Sequence, residues 1–354
     1  MTELEPQFKH FLSSGYFIGG PAVDNFENSW ADYCGSEYAV GLGNGLDALT
    51  LSLKALGISS GDEVIVPSNT YIATWLAVSN CNAQIVPVEP NPDSYNIEAE
   101  EIVKKITPKT KAIIPVHLYG APAQMPSILN VARKYGLYVI EDAAQAHGAA
   151  IDNKKIGSHG DIVAWSFYPS KNLGALGDAG AITTNCADIA QKIRMMANYG
   201  SKIKYKNEII GVNSRLDPIQ AVVLSTKLAY LDRWNKNRYD TAKFYNKQLQ
   251  SLPLKLPKYA QNINHVYHQF IIECENRDDL MRFLHRRGIE TMVHYPVPPF
   301  KQKAYKHLNL NISEYKIASG MSNRMLSLPI SPVLTTEDKE YVIEAVDDFF
   351  KLLQ

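Results

Sequence analysis

No sign of charge is in surplus in this sequence of 354 residues, where 36 basic residues face 36 acidic ones. That balance argues against nucleic acid as the main partner, a role that usually comes with a basic excess. Cysteine is scarce. Cys34, Cys81, Cys186 and Cys274 stand far apart, so no CxxC metal or redox pair exists and no metal site is expected. Scattered thiols in a chain of this size fit a reducing, cytoplasmic setting. Long hydrophobic runs are missing as well. The longest uncharged stretch, Val64 to Val88, is broken by Pro67, Ser68, Asn69, Asn80 and Asn82, which reads as core strand, loop and core helix instead of a membrane span. The first residues, MTELEPQFKHFLSSG, carry acids and no apolar core, so no signal peptide is expected. Internal repeats and low-complexity tracts are absent. With 45% apolar residues the chain can bury a large core, and its length suggests two or three packed units.

Short β-branched or aromatic runs recur through the first 200 residues. They are 37–43, 62–67, 83–90, 111–120, 136–144, 161–167 and 179–185, each ending in turn or polar residues. Helical stretches such as 46–56 and 125–136 lie between several of them. Strands apolar on both faces and separated by helices imply a mostly parallel sheet covered on both sides. The texture changes after about residue 215. A long helical pattern over 216–252 is expected to connect the large α/β domain (1–215) to a smaller C-terminal α+β domain (253–354). The smaller unit reads as a strand (265–274), a helix (278–288), a strand (289–296) and a final helix (336–353). Clefts between such units are common small-molecule sites.

Three places could carry chemistry. The loop GLGNGLDAL (41–49) follows a strand and opens a helix, so free N–H groups of the first turn could hold an anion such as phosphate. A plain tight βα turn would look the same. Asp142 closes an apolar strand, where a carboxylate faces the crevice beyond the strand ends. Capping of a following helix by Glu141 or Asp142 is the alternative. Lys171, in WSFYPSKNLGALGDAG, stands among aromatic, hydroxyl and glycine neighbours. Most lysines are solvated surface charge, but one in a partly dry site can lose its proton near neutral pH and act as a nucleophile. Together these are the needs of pyridoxal phosphate: donors for its phosphate, an anion for its pyridine nitrogen and a lysine for its Schiff base. Tyr71, which opens a helix after another strand, could stack on the ring.

At these residues the chain resembles the sugar aminotransferases of the DegT/DnrJ/EryC1/StrS family, within fold type I of the pyridoxal-phosphate enzymes. The resemblance rests on SGYFIGGPAVDNFENSWADYCG, GNGLDALTL, GDEVIVPSNTYIATWLAV, PVHLYG, VIEDAAQAHGA, SFYPSKNLGALGDAGAITTN, GVNSRLDPIQA, HYPVPPFKQKAY and LSLPISP, in that order along nearly the whole sequence. It implies an α/β fold with a seven-stranded sheet and a small C-terminal domain. It also implies a role for each matching residue. Lys171 would form the Schiff base, Asp142 would pair with the pyridine nitrogen, and Gln145 would lie against the ring's 3′ oxygen. Gly45, Leu46 and Ser166 would hold the phosphate, and Tyr71 would stack on the ring. Asn213 would reach the phosphate in a neighbouring subunit, implying a homodimer. Tyr168, His294 and Tyr295 would touch the sugar nucleotide, with packing beside Pro296 the alternative for the last two. His117 is expected to be structural. The start is shorter than in many members, which leaves the first helix open. NGLDAL takes the place of a TAAL-like phosphate loop and is similar to the subgroup acting on the 3-keto carbon of dTDP-linked 6-deoxyhexoses.

The implied reaction carries an amino group from L-glutamate, through pyridoxamine phosphate, to a dTDP-linked keto-sugar. A 4-keto sugar aminotransferase is the nearest alternative. A dehydratase using pyridoxamine phosphate would replace the lysine with histidine, which this sequence does not. A non-catalytic sugar-nucleotide binder would have no need of the lysine, aspartate and phosphate loop together.

Overall fold

A computed structural model describes residues 3–353. Seven strands form the central sheet: β1 (Tyr38–Leu42), β2 (Glu63–Pro67), β3 (Gln84–Val88), β4 (Thr110–Ile113), β5 (Tyr138–Asp142), β6 (Ile162–Ser166) and β7 (Gly180–Thr184). Their order is β1-β7-β6-β5-β4-β2-β3, and β7 alone runs against the others, as a return strand between β1 and β6. All seven expected strands are therefore present and form the fold type I α/β sheet. The run expected over 111–120 stops as a strand at Ile113, because the chain turns into a 3-10 segment at Leu118–Gly120 with Tyr119 at φ 60°.

Each strand is apolar on both faces because each face has its own helical layer. Successive strand residues point to opposite sides. Ile65, Val139, Val163 and Trp165 therefore enter one core, while Val64, Val66, Ile140, Ile162 and Ala164 enter the other. With helix α1 at Leu4–Ser14, the first core is closed by α2 (Pro21–Cys34), and the second by α3 (Gly45–Ala55) and α4 (Ile72–Ser79). Helix α5 (Met125–Tyr135) joins the first layer and α6 (Ala187–Ala197) the second. Trp30 sits edge-on to both Trp165 and Phe167, an arrangement favoured by the ring quadrupoles.

The connecting segment departs from expectation. It is not one helix over 216–252 but two, α7 (Pro218–Leu228) and α8 (Leu231–Leu249). At the join Tyr230 bonds back only to Lys227, a tightened turn, and its ring stacks on Trp234. No proline or glycine marks the break. The inward positions 221, 224, 228, 231, 235, 238, 242, 245 and 249 keep their helical spacing straight across it, so periodicity alone sees one helix.

The C-terminal residues form a second core around β8 (Phe270–Glu273), α9 (Arg277–Arg286), β9 (Met325–Leu328) and α10 (Thr336–Lys351). The strand expected over 265–274 is confined to β8, and β8 pairs with β9, which was not expected as a strand. Residues 289–296 do not form the expected strand. Met292 alone bridges to Ser327; the two residues that follow it by a step are drawn out of the ladder by side chains of the large unit, as described below.

Candidate active site

The carboxyl ends of β5 and β6, the start of α3 and α4, and the C-terminal unit enclose a cavity of about 520 Å³. Its walls include Gly45, Leu46, Tyr71, Asp142, Gln145, Ser166, Tyr168, Lys171, His294 and Tyr295. The fold thus brings together ten of the eleven residues singled out in the sequence. The eleventh, Asn213, is exposed and lies outside this chain's own cavity.

The turn into α3 is built for close approach. Asn44 caps the helix by accepting from the Asp47 N–H at 2.8 Å, which leaves the N–H groups of Gly45 and Leu46 without a partner among the described residues. A Cβ on Gly45 would stand 2.7 Å from that of Ser166, and one on Gly180 would stand 2.4 Å from the Asn44 carbonyl carbon. Both positions accept only glycine without a shift of the loop. Ser214 steadies the turn, accepting from the Gly43 N–H at 3.1 Å and donating to Asp47 at 2.7 Å. Two free helix-terminal donors beside a serine hydroxyl form a cradle suited to a phosphate.

Asp142 and Glu141 are neighbours on β5 with opposite duties. Asp142 faces the cavity, accepting from Thr74 Oγ1 at 2.9 Å and from the Ala144 N–H at 3.2 Å. Burial raises its carboxyl above the ordinary range, held back by those bonds and by the charge of Lys171. Glu141 faces the other way. It is fully buried, pairs with His117 Nε2 at 2.9 Å and accepts from the Gly160 N–H at 2.7 Å. Burial opposes its charge, but His117 prevails and its carboxyl lies below the usual range. His117 accepts from the Ala123 N–H through Nδ1, so it holds the chain around the strand end and does not line the cavity. Neither carboxylate caps a helix.

Lys171 enters from the loop between β6 and β7, its own N–H bonded to the Tyr168 carbonyl. Its amine has no hydrogen-bond or ion-pair partner among the described residues. Burial pulls its pKa down to about 8, partly offset by Asp142. An amine in that range is neutral in an appreciable minority of molecules near physiological pH, and that form can act as nucleophile or base. Tyr71 opens α4, is 55% exposed, and has its ring centre 5.2 Å from that of Tyr295.

The other wall comes from the C-terminal unit. The Tyr119 hydroxyl donates to the His294 carbonyl at 2.5 Å, and Gln145 Nε2 donates to the Tyr295 hydroxyl at 2.9 Å. These bonds draw 294–295 away from the β9 ladder and into the cavity wall, so the two side chains do more than pack beside Pro296. His294 Nδ1 pairs with Ser327 Oγ at 2.7 Å, and burial lowers its pKa to about 4. The Gln145 carbonyl oxygen accepts from the Tyr119 N–H. Sequence reasoning missed Thr74 and His268. Thr74 lies one helical turn beyond Tyr71, a spacing that could have revealed it. His268 looked like one more strand residue.

An anion cradle, a buried carboxylate and an isolated amine of lowered pKa around one cavity in a fold type I sheet define a pyridoxal-phosphate enzyme, and the glycine-lined turn leaves room for that cofactor. Comparison with known proteins agrees. The DegT/DnrJ/EryC1/StrS aminotransferase family model matches residues 2–347, and the chain belongs to that family. It is 48% identical over 347 residues to the dTDP-3-amino-3,6-dideoxy-alpha-D-galactopyranose transaminase of Aneurinibacillus thermoaerophilus, covering 98% of this chain and 95% of that one. It is 45% identical over 349 residues to the dTDP-3-amino-3,4,6-trideoxy-alpha-D-glucose transaminase of Streptomyces venezuelae, covering 98% and 92%. The crystal structure of S. venezuelae DesV with a ketimine intermediate superposes with a TM-score of 0.97 at 45% identity, covering 99% and 95%. The protein is a pyridoxal-phosphate-dependent sugar aminotransferase. Among the described residues, no helix is long and apolar enough to cross a membrane.

Proposed function

We propose that this aminotransferase moves the amino group of L-glutamate to the C3 keto carbon of a dTDP-linked 6-deoxyhexulose, giving a dTDP-3-amino-3,6-dideoxyhexose. The observation that carries the chemistry is the unpartnered Lys171 amine sharing one cavity with the buried Asp142 carboxylate. The choice of sugar is supported by the end-to-end similarity to two transaminases named for dTDP-3-amino sugars.

When bound, pyridoxal phosphate supplies an electron sink for the carbon that loses its proton. The rest falls to the chain. Gly45, Leu46 and Ser166 bind the phosphate. Asp142, kept in place by Thr74, would hold a negative charge against the ring nitrogen. Gln145 would serve the 3′ oxygen and Tyr71 would cover the ring. Lys171 would hold the aldehyde and, as a neutral amine, would take the proton from the donor Cα at Nζ. Tyr168, His294 and Tyr295 face the sugar nucleotide.

The working unit in this reading is a homodimer in which Asn213 serves the neighbouring cavity. Ser214 ties the adjoining residue to the α3 turn, and the stretch 201–212 before it exposes Ile203, Tyr205, Ile210 (99% exposed) and Val212, an apolar surface that a second copy would cover.

The decisive experiment offers dTDP-3-keto and dTDP-4-keto sugars separately, with glutamate, and locates the new C–N bond by NMR. Amination at C3 is expected. Amination of the 4-keto sugar alone overturns the assignment, and a UDP-linked 3-keto sugar processed in preference to the dTDP one overturns the nucleotide.

A further inference from the structure

We infer that His268 is a positioning residue for Lys171: a buried relay of amides fixes its tautomer so that a bare Nε2 faces the cavity as a hydrogen-bond acceptor for the lysine amine. This rests on the reading of Lys171 as the cofactor-bearing lysine.

The argument begins next door to Lys171. The Asn172 side chain is buried, and its Nδ2 donates to the Asn235 side-chain oxygen at 2.8 Å and to the Val266 carbonyl at 3.0 Å. Asn235 Nδ2 in turn donates to the His147 carbonyl at 2.8 Å. Two main-chain carbonyls, of Val266 and His147, thus set both amides, since carbonyl oxygens only accept. Turning over Asn172 would set oxygen against oxygen at Val266. Turning over Asn235 would do so at His147.

With that orientation settled, the Asn172 oxygen is left facing His268 Nδ1 at 3.1 Å. An oxygen that can only accept requires Nδ1 to carry the hydrogen. Nε2 of a neutral ring then holds a lone pair. The ring is neutral because burial, with Lys171 and Arg238 among its neighbours, keeps its pKa well below the ordinary value. His268 is 5% exposed and lines the same cavity as Lys171, whose amine lacks a partner among the described residues. His294 on the same wall has no such lock, because the Ser327 hydroxyl can donate or accept. Asn172 therefore ties together the lysine loop, α8 and the 266–268 segment, and it fixes a ring whose lone pair is offered to the cavity that also holds the lysine.

Two measurements test this on the full-length protein. Nitrogen-15 NMR of histidine-labelled wild type should show a neutral ring with hydrogen on Nδ1 that disappears in His268→Phe. A ring with hydrogen on Nε2 overturns the inference. Second, cofactor is removed and pyridoxal phosphate is added back, with borohydride trapping and mass analysis of the Lys171 peptide over time. His268→Phe, which keeps the ring volume, should trap about tenfold more slowly, the effect of losing one ordinary hydrogen bond. His268→Gln, which restores an oxygen acceptor, should recover most of the rate. Equal rates for wild type and His268→Phe overturn the inference alone. Failure to trap Lys171 in the wild type overturns the functional reading beneath it. If His268→Phe does not fold, the glutamine variant and the tautomer measurement still decide.

Discussion

The two walls of the cavity are made differently. The floor comes from residues 43–180 and is shaped by main chain: a helix end, two strand ends and glycines that admit no side chain. The roof comes from the C-terminal unit and is held by side-chain bonds across long stretches of sequence. Tyr119 to His294 spans 175 residues, Gln145 to Tyr295 spans 150, and Asn172 to His268 spans 96. A floor fixed by backbone geometry suits a cofactor that stays. A roof assembled from adjustable side chains suits a substrate that differs between relatives.

Substitutions can sharpen or break that contrast. Lys171→Ala on the floor should abolish the visible lysine–cofactor absorbance and lower turnover by at least about a thousandfold, as expected for a group that is both nucleophile and base. Native turnover in that variant would remove the floor from the chemistry. Asp142→Asn should fold normally and lose activity by about a hundredfold, the scale of a lost electrostatic partner in a dry site. Gly180→Ala should weaken cofactor binding, because a methyl group 2.4 Å from the Asn44 carbonyl forces the cradle to move, at about 1–3 kcal/mol. Equilibrium dialysis against pyridoxal phosphate reads this directly, and unchanged affinity would show that the turn is not under constraint. On the roof, Tyr295→Phe should leave cofactor content alone and change sugar kinetics by about tenfold or less. A loss of cofactor there would erase the distinction between the walls.

A pH measurement joins the two sides of the floor. Lys171 captures an aldehyde only as the neutral amine, so capture by the cofactor-free protein should speed up as pH rises through about 8 and then level off. The Asp142 charge favours the protonated amine. In Asp142→Asn the midpoint should therefore move to lower pH. Movement to higher pH would mean the two groups are not coupled in this way.

The contrast also explains what was legible in the sequence. Apolar strands ending in turns, the Gly-Asn-Gly entry to α3 and a lysine without charged neighbours are local signals. They placed all seven sheet strands, the 43–47 turn and Lys171, while Gln145 and Ser166 came only from the family resemblance. The roof has no local signature. Residues 289–296 carry strand-like composition, yet only Met292 pairs with β9, while the His294 carbonyl and the Tyr295 hydroxyl are taken by Tyr119 and Gln145, and only the folded chain reveals those partners. The break between α7 and α8 was invisible because inward-facing positions keep step across it. His268 was overlooked because its meaning depends on Asn172, Asn235 and two distant carbonyls.

The paired acids on β5 carry a practical warning for anyone reshaping this enzyme. Glu141 serves architecture and Asp142 serves reactivity, and they are told apart only by which side of one strand each occupies. Removing a single residue between Tyr138 and Glu141 would turn each acid to the opposite side of the sheet, driving Glu141 into the apolar place of Ile140 and leaving Asp142 beside His117. Length changes tolerable in the exposed Asp152–Asn153 turn would be ruinous a dozen residues earlier, so design by segment exchange should keep β5 intact.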